Sequence, residues 1–137
     1  MNNVKALTFF SIIFLIAALE GFSQCDNEDF LDKCSSQLNE FTFVKSFESS
    51  KKTEFSYVFS KDHSYVLTVC DNSTAKGKMM VNLYDRNHKL ITSSYNKASK
   101  KYYPAISYNC SATGVYYIET DFSDSNCCGV SILGYKK

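Results

Sequence analysis

From Glu40 to the end of the chain, apolar side chains recur at nearly every second position, a period that suits antiparallel sheet and little else. The clearest instance is Tyr102 to Thr120 (YYPAISYNCSATGVYYIET), which reads as a strand, a polar corner and a second strand. Pro104, Ile106, Tyr108 and Cys110 point one way, and Ala105, Ser107 and Asn109 the other. Ser111 to Gly114 supply the corner, with Gly114 free to take a positive φ. Val115, Tyr116, Tyr117 and Ile118 are apolar toward both faces, which predicts a central strand. Pro104, the single proline, stands at a strand start, where a missing N–H costs least.

The same period organises the rest. Phe41, Phe43 and Phe47 share a face with Lys45 among them. Phe55, Tyr57 and Phe59 alternate with Ser56 and Val58, and Lys61-Asp62-His63 is a polar turn. Tyr65, Leu67 and Val69 alternate with Val66, Thr68 and Cys70, and Asp71 to Lys78 is loop by composition. Met79, Val81 and Leu83 line one face opposite Asn82 and Tyr84. Asp85 to Lys89 is a hairpin loop from which Leu90 to Tyr95 returns. Asn96 to Lys101 is an exposed loop with three lysines, Asp121 to Asn126 is a turn, and Cys128 to Tyr135 is the last strand. This series of short strands predicts a mainly β, jelly-roll-like antiparallel β-sandwich. Ile106, Tyr108, Val115, Tyr117 and Ile118 are its expected core, with Leu67, Val69, Val81 and Leu83.

Only Asp26 to Leu38 breaks the pattern. Phe30, Leu31, Cys34 and Leu38 fall on one face of a short N-terminal helix over about 26–38. Asp26 or Asn27 suits its N-cap, and Glu28 and Asp29 its positive dipole end. A helix this short is unstable alone and has to lie on the sheet, where Cys34 is placed to tether it.

Ahead of the helix, Lys5 precedes an apolar run, Leu7 to Leu19, of roughly 13 residues, short of the ~20 that cross a bilayer. Gly21 and Ser23 are the small residues at −3 and −1 of a cut before Gln24. Residues 1–23 therefore read as a signal peptide, with 24–137 as a single β-sandwich domain. Gln24 and Phe22 stand where a lipidation signal wants small and aliphatic residues, so lipoprotein anchoring at Cys25 is not expected. The expected product is secreted or periplasmic and monomeric, with no membrane span once the signal is cleaved. Fifteen basic side chains against fourteen acidic ones give no nucleic-acid or anionic-membrane surface.

All six cysteines (Cys25, Cys34, Cys70, Cys110, Cys127 and Cys128) lie beyond the signal, and an even number in an exported chain argues for disulfides. Cys70 ends one strand and Cys127-Cys128 opens the last. If those strands are antiparallel neighbours, Cys70 meets Cys127 or Cys128, and Cys34 on its helix is expected to pair with Cys110. Cys25 takes the remaining partner or stays free, and the competing arrangement joins Cys70 to Cys110.

Candidate chemistry is sparse. His63 and His88 sit in polar turns and read as solvated, with no nucleophile or carboxylate at a catalytic spacing, so no catalytic residue is assigned and no enzyme is expected. Cys110 with Cys127-Cys128 lacks the CxxC pair and nearby histidine of a zinc site. Asp71, Asp85, Asp121 and Asp124 fall in loops without a calcium-loop pattern and read as turn residues, so no metal or cofactor is expected. Asn72-Ser73-Thr74 and Asn109-Cys110-Ser111 match the glycosylation sequon. Tyr102 and Tyr103 beside Lys100 and Lys101 offer an aromatic platform for a sugar or protein ligand. The plainer reading packs one ring inward and lays the other over a sheet edge.

From Phe55 onward, FSYVFSKDHSYVLTVC, VNLYDRNHKLITSS, ATGVYYIETDF and GVSILGYK follow in the order of strands of the bacterial pre-peptidase C-terminal type of β-sandwich, which this chain resembles. The resemblance implies a jelly roll without a catalytic centre that accompanies exported enzymes or binds surfaces and matrix polymers. The added helix, the cysteines and the absence of an attached enzyme depart from it. Two functions of different classes follow as expectations. One is an exported non-catalytic binding or structural module with an extracellular protein or glycan as partner. The alternative is a secreted inhibitor or effector that acts on a partner protein through an exposed loop such as Asn96 to Lys101.

Overall fold

A computed structural model of the chain describes residues 28–71, 78–123 and 128–137, with side chains from residue 31 onward. It is mainly β, with a helix α1 (Glu28–Ser35) that runs into a 3-10 turn (Ser36–Leu38). Eleven strand segments follow among the described residues: β1 (Thr42–Ser49), β2 (Thr53–Phe59), β3 (Ser64–Thr68), β4 (Cys70–Asp71), β5 (Met79–Tyr84), β6 (Leu90–Ser93), β7 (Tyr95–Asn96), β8 (Lys101–Tyr102), β9 (Ala105–Asn109), β10 (Gly114–Phe122) and β11 (Gly129–Lys136). One sheet runs β1-β11-β3-β9, with β4 continuing β3 along β11, and the other runs β2-β10-β5-β6. Apart from the β3–β4 continuation and the β5–β6 hairpin, the chain crosses from one large sheet to the other between strands, so this is the expected antiparallel sandwich. Strands β7 and β8 form a third, two-stranded sheet.

Between the two large sheets lies an aromatic column. Phe59 is fully buried and stacks on Tyr65 at 4.0 Å and on Tyr116 at 4.9 Å. Leu67, Met79, Val81, Leu83, Ile118 and Leu133 complete the interior. At its other end the hydroxyls of Ser49 and Thr120, both buried, bond at 2.7 Å and link the sheets.

The outer face of the first sheet is covered as well. Cys34 and Leu38 pack on Val66, Cys70, Val130 and Ile132, with Leu31 and Phe41 at the margin. Strand β11 is consequently buried on both sides, Leu133 toward the sandwich and Val130 and Ile132 toward the helix. Gly134 makes the fit possible: a Cβ there would stand 2.8 Å from Leu38 Cδ2 and 3.0 Å from Val66 Cγ1. Where β3 gives way to β4, the Val69 N–H turns to the Pro104 carbonyl at 2.8 Å, and the Thr68 hydroxyl accepts from the Ile132 N–H at 3.1 Å instead. The backbone break is therefore satisfied locally.

Several sequence expectations need correction. Within β10 it is Tyr116 that enters the core, not Tyr117; Val115 is 40% exposed beside Val58 on the outer face. The register follows Gly114 opposite Phe59, which sends Tyr116, Ile118 and Thr120 inward. Tyr108 and Val69 are half-buried at the core's edge. Phe41, Phe43 and Phe47 do not share a face, because a register shift between Phe43 and Lys45 inserts Val44 as a bulge and leaves Phe43 52% exposed. The N-cap residues Asp26 and Asn27 and the side chain of Phe30 lie outside the described part.

The cysteine pairing differs most. Cys34 bonds Cys70, with Cα atoms 5.7 Å apart, and Cys110 is a buried free thiol. The assumed strand order is correct, since β4 lies antiparallel to β11 with Cys70 opposite Val130. The face was the error. Cys70 points outward with Val66, beneath the helix, whereas Cys110 points into the sandwich, so the first sheet stands between Cys34 and Cys110. Neither Cys34–Cys110, nor Cys70 with Cys127 or Cys128, nor Cys70–Cys110 forms. Cys128 is disulfide-bonded too, while Cys25 and Cys127 lie outside the described residues.

Two outcomes are expected. Ile118→Ala should lower the unfolding free energy by about 2–5 kcal/mol, and Val115→Ala by less than about 1 kcal/mol; equal losses in a urea titration would refute the two-sided reading of β10. Non-reducing peptide maps should join Cys34 to Cys70, and Cys34→Ser should cost about 2–4 kcal/mol. Cys110 should resist alkylation until the protein is unfolded, and rapid labelling of native protein would contradict its burial.

Candidate functional site

The tyrosines and lysines singled out in the sequence stand on a small finger. Its two strands, β7 and β8, pair Tyr95 with Tyr102 and Asn96 with Lys101. Asn96 shapes the tip, its Oδ1 accepting from the N–H groups of Ala98 at 3.0 Å and Ser99 at 3.2 Å. Lys100 closes the turn with a φ of 55°, in the left-handed region. At the root, buried Ser94 exchanges bonds with Val81 and its carbonyl accepts from the Tyr103 N–H at 2.8 Å. The finger is thus fixed to β5 and springs from the side of the sandwich where edge strands β6 and β9 face each other.

Tyr95 and Tyr102 stand on one face of this finger, and Asn96 and Lys101 on the other. The Tyr95 and Tyr102 rings lie 4.5 Å apart and tilted, and the Lys78 ammonium sits 5.2 Å from the Tyr102 centroid. Tyr103 is 44% exposed and Tyr102 half-buried, and neither ring enters the core. Lys97, Lys100 and Lys101 are exposed. None of these four lysines pairs with a carboxylate among the described residues. Asp71, beside Lys78 in the fold, accepts from the Met79 N–H at 2.7 Å.

The outer face of the second sheet, which no described element covers, carries more polar chemistry, but its groups answer one another. Glu54 and Glu119 lie directly opposite on β2 and β10, a like-charge pair that repels unless cations attend it. His88 attends Glu54 at 3.4 Å and Lys52 attends Glu119 at 3.9 Å. Glu119 also accepts from Asn82 at 3.1 Å and from the Tyr84 hydroxyl at 3.3 Å. His88 is therefore no simple solvated turn residue: with a φ of 56° it folds back to stack on Tyr117 at 3.9 Å. Burial first, then the Glu119 carboxylate, raises the Tyr84 phenol above its ordinary value.

Two clefts lie elsewhere. One, of about 260 Å³, is lined by Asp85, Arg86, Asn87, Tyr108, Ser111 and Tyr116 among others. Beside it the Tyr116 hydroxyl donates to the Ala112 carbonyl at 2.7 Å, and burial followed by the Tyr108 and Cys110 hydrogen bonds pushes its pKa up. The other, about 300 Å³, opens beside edge strands β1 and β2 between Phe43, Tyr57, Val58, His63 and Tyr135. His63 keeps its turn position, with Nδ1 3.1 Å from the Lys61 carbonyl.

Asp85 closes the β5–β6 hairpin by accepting from Asn87 and Lys89, and Asp121 accepts from its neighbour Phe122. Asp71 and Asp121 stand in strands rather than loops, and Asp124 lies outside the described residues. No cluster of three metal-type ligands occurs among the described residues.

No family model matches the chain, and no curated protein matches it.

Lys78 and Tyr95 are the finger residues that sequence reasoning missed. The signal was present, since Tyr95-Asn96 and Lys101-Tyr102 flank an Asn-started turn at hairpin spacing. The His88–Tyr117 stack carried no sequence signal.

Because the fold favours the neutral phenols of Tyr84 and Tyr116, their stabilisation is whole below the ordinary tyrosine value of 10.0 and is lost as pH rises through the elevated folded values. Ultraviolet titration of the native protein should show two phenols that ionise late, and Glu119→Gln should bring Tyr84 back toward the rest. A Tyr84 titration unmoved by that change would remove Glu119 as a cause.

Proposed function

We propose that this chain is an exported, non-catalytic β-sandwich module that binds a partner through the finger formed by β7 and β8. The carrying observation is the local cluster of cations there: Lys97, Lys100 and Lys101 are exposed at the finger and Lys78 lies 5.2 Å from the Tyr102 ring, none with a carboxylate partner among the described residues. An exposed aromatic held in a fixed pose gives contact area at little entropic cost, and cations with no ion pair among the described residues need break none when an anion arrives.

Export rests on the leader-like residues 1–23 and agrees with the Cys34–Cys70 disulfide. Among the described residues no helix is long and apolar enough to cross a membrane. The strand order resembling pre-peptidase C-terminal domains supports a binding role without catalysis.

The test is retention from the extracellular milieu on immobilised protein, with polysaccharides and proteins scored separately. The variant Lys97→Ala/Lys100→Ala/Lys101→Ala, altered only at exposed positions, should lose most of what the native chain retains. Capture of one stoichiometric protein through the finger would mark the inhibitor or effector alternative. Full retention by the variant would move the contact surface off the finger.

A further inference from the structure

We infer that the cleft between the β5–β6 hairpin and the β9–β10 corner binds a free α-amino acid with an apolar side chain, its carboxylate on Arg86 and its ammonium on Asp85. The site shares no residue with the finger and does not rest on it. Among the residues that line the cleft only Asp85 and Arg86 carry charge, one of each sign. Neither forms an ion pair with a described residue. Arg86 is the chain's single arginine, and a guanidinium presents the fork that a carboxylate matches at two points. Asp85 gives Oδ1 to the N–H groups of Asn87 and Lys89, while its Oδ2 accepts from no described residue. A dianion such as phosphate would face that carboxylate, whereas a zwitterion meets both signs.

The rest of the lining supplies a donor and apolar walls. The Tyr108 hydroxyl has no described partner nearer than the Tyr116 hydroxyl at 3.4 Å and Ser111 Oγ at 3.5 Å, so it is free to turn to a ligand oxygen. The Tyr116 hydroxyl, by contrast, is committed to the Ala112 carbonyl at 2.7 Å. Ile91, Ala112 and Val115 form the apolar part, and the exposed side chain of Val115 gains cover when a hydrocarbon group settles there. Gly114 is the second, independent observation. It stands in β10 opposite Phe59, and a glycine weakens a strand unless the backbone needs it. Here the backbone does not: its φ lies outside the left-handed region, and a Cβ would meet nothing within 4 Å. The missing side chain leaves open space in the cleft wall, the arrangement that lets a bound molecule approach the main chain closely. The cleft's volume of about 260 Å³ lies below the ~300–1,000 Å³ of sites for drug-sized ligands, which fits a molecule of amino-acid size and excludes a polymer.

The experiment is calorimetric titration of the whole exported chain with L-phenylalanine, L-leucine, N-acetyl-L-phenylalanine, L-phenylalaninamide and inorganic phosphate. The two amino acids should bind, and each of the other probes should bind at least about tenfold more weakly, a gap of about 1.4 kcal/mol. Arg86→Gln should weaken L-phenylalanine by about tenfold or more and remove its advantage over the amide. Asp85→Asn, which keeps the acceptor that closes the hairpin, should remove its advantage over the acetylated form. A merely structural role for either residue would not produce these selective cancellations. Gly114→Leu should abolish binding, with circular dichroism showing the fold retained, and Lys52→Gln, on the second sheet, should change nothing. Equal binding of the acetylated probe would overturn the role of Asp85, and equal binding of the amide that of Arg86. Phosphate that binds as tightly as L-phenylalanine would overturn the amino-acid class. Binding that survives Gly114→Leu would place the ligand outside the cleft, and absence of binding by both amino acids would refute the assignment.

Discussion

The burial of β11 on both faces is the constraint on which the rest depends. A strand covered on one side only would need polar residues at alternate positions, yet Val130, Ile132 and Leu133 require cover on both. One cover is the second sheet and the other is α1, too short to hold itself in place. The Cys34–Cys70 bond fixes that cover to the strand beside β11, and Gly134 lets it approach closely. Three layers therefore arise from one strand's demand, and the uncovered sheet face is left on the opposite side of the molecule.

That arrangement sorts the surface chemistry. On the uncovered sheet the facing carboxylates Glu54 and Glu119 recruit His88, Lys52, Asn82 and Tyr84, and the network closes on itself. Its groups support the sheet rather than invite a ligand. The finger is built the opposite way, its turn held by Asn96 and its ammonium groups without a carboxylate partner among the described residues. The more polar face is thus the one whose groups answer one another.

Much of the architecture was legible because a two-residue period survives any choice of neighbour. The strands and the hairpin at Asp85 to Lys89 follow from it, and the helix from the one stretch that breaks it. The period does not choose between adjacent tyrosines, so Tyr116 and Tyr117 were exchanged until the pairing of Gly114 with Phe59 decided the register. Nor does it reveal a bulge, and Val44 therefore hid the separation of Phe43 from Phe47. The disulfide was readable in principle. Cys70 shares parity with Val66, Cys110 with Ile106, and a helix can reach only the outer of those faces. In the finger, Lys100 to Tyr103 were adjacent in sequence and visible together, while Lys78 and Tyr95 join them only through pairing with β8 and packing against it.

Cys110 gives the fold one more property. Its thiol lies under Tyr116 and Ala112 in the interior, in a chain with another cysteine pair already joined. The closed sandwich acts as the protecting group for that sulfur, shielding it from exchange with every neighbouring disulfide. Fidelity of the covalent pattern is thereby a property of tertiary closure rather than of cysteine spacing. Any change that lets the sandwich breathe at the β9–β10 corner would show first as scrambled sulfur chemistry, before the strands themselves came apart.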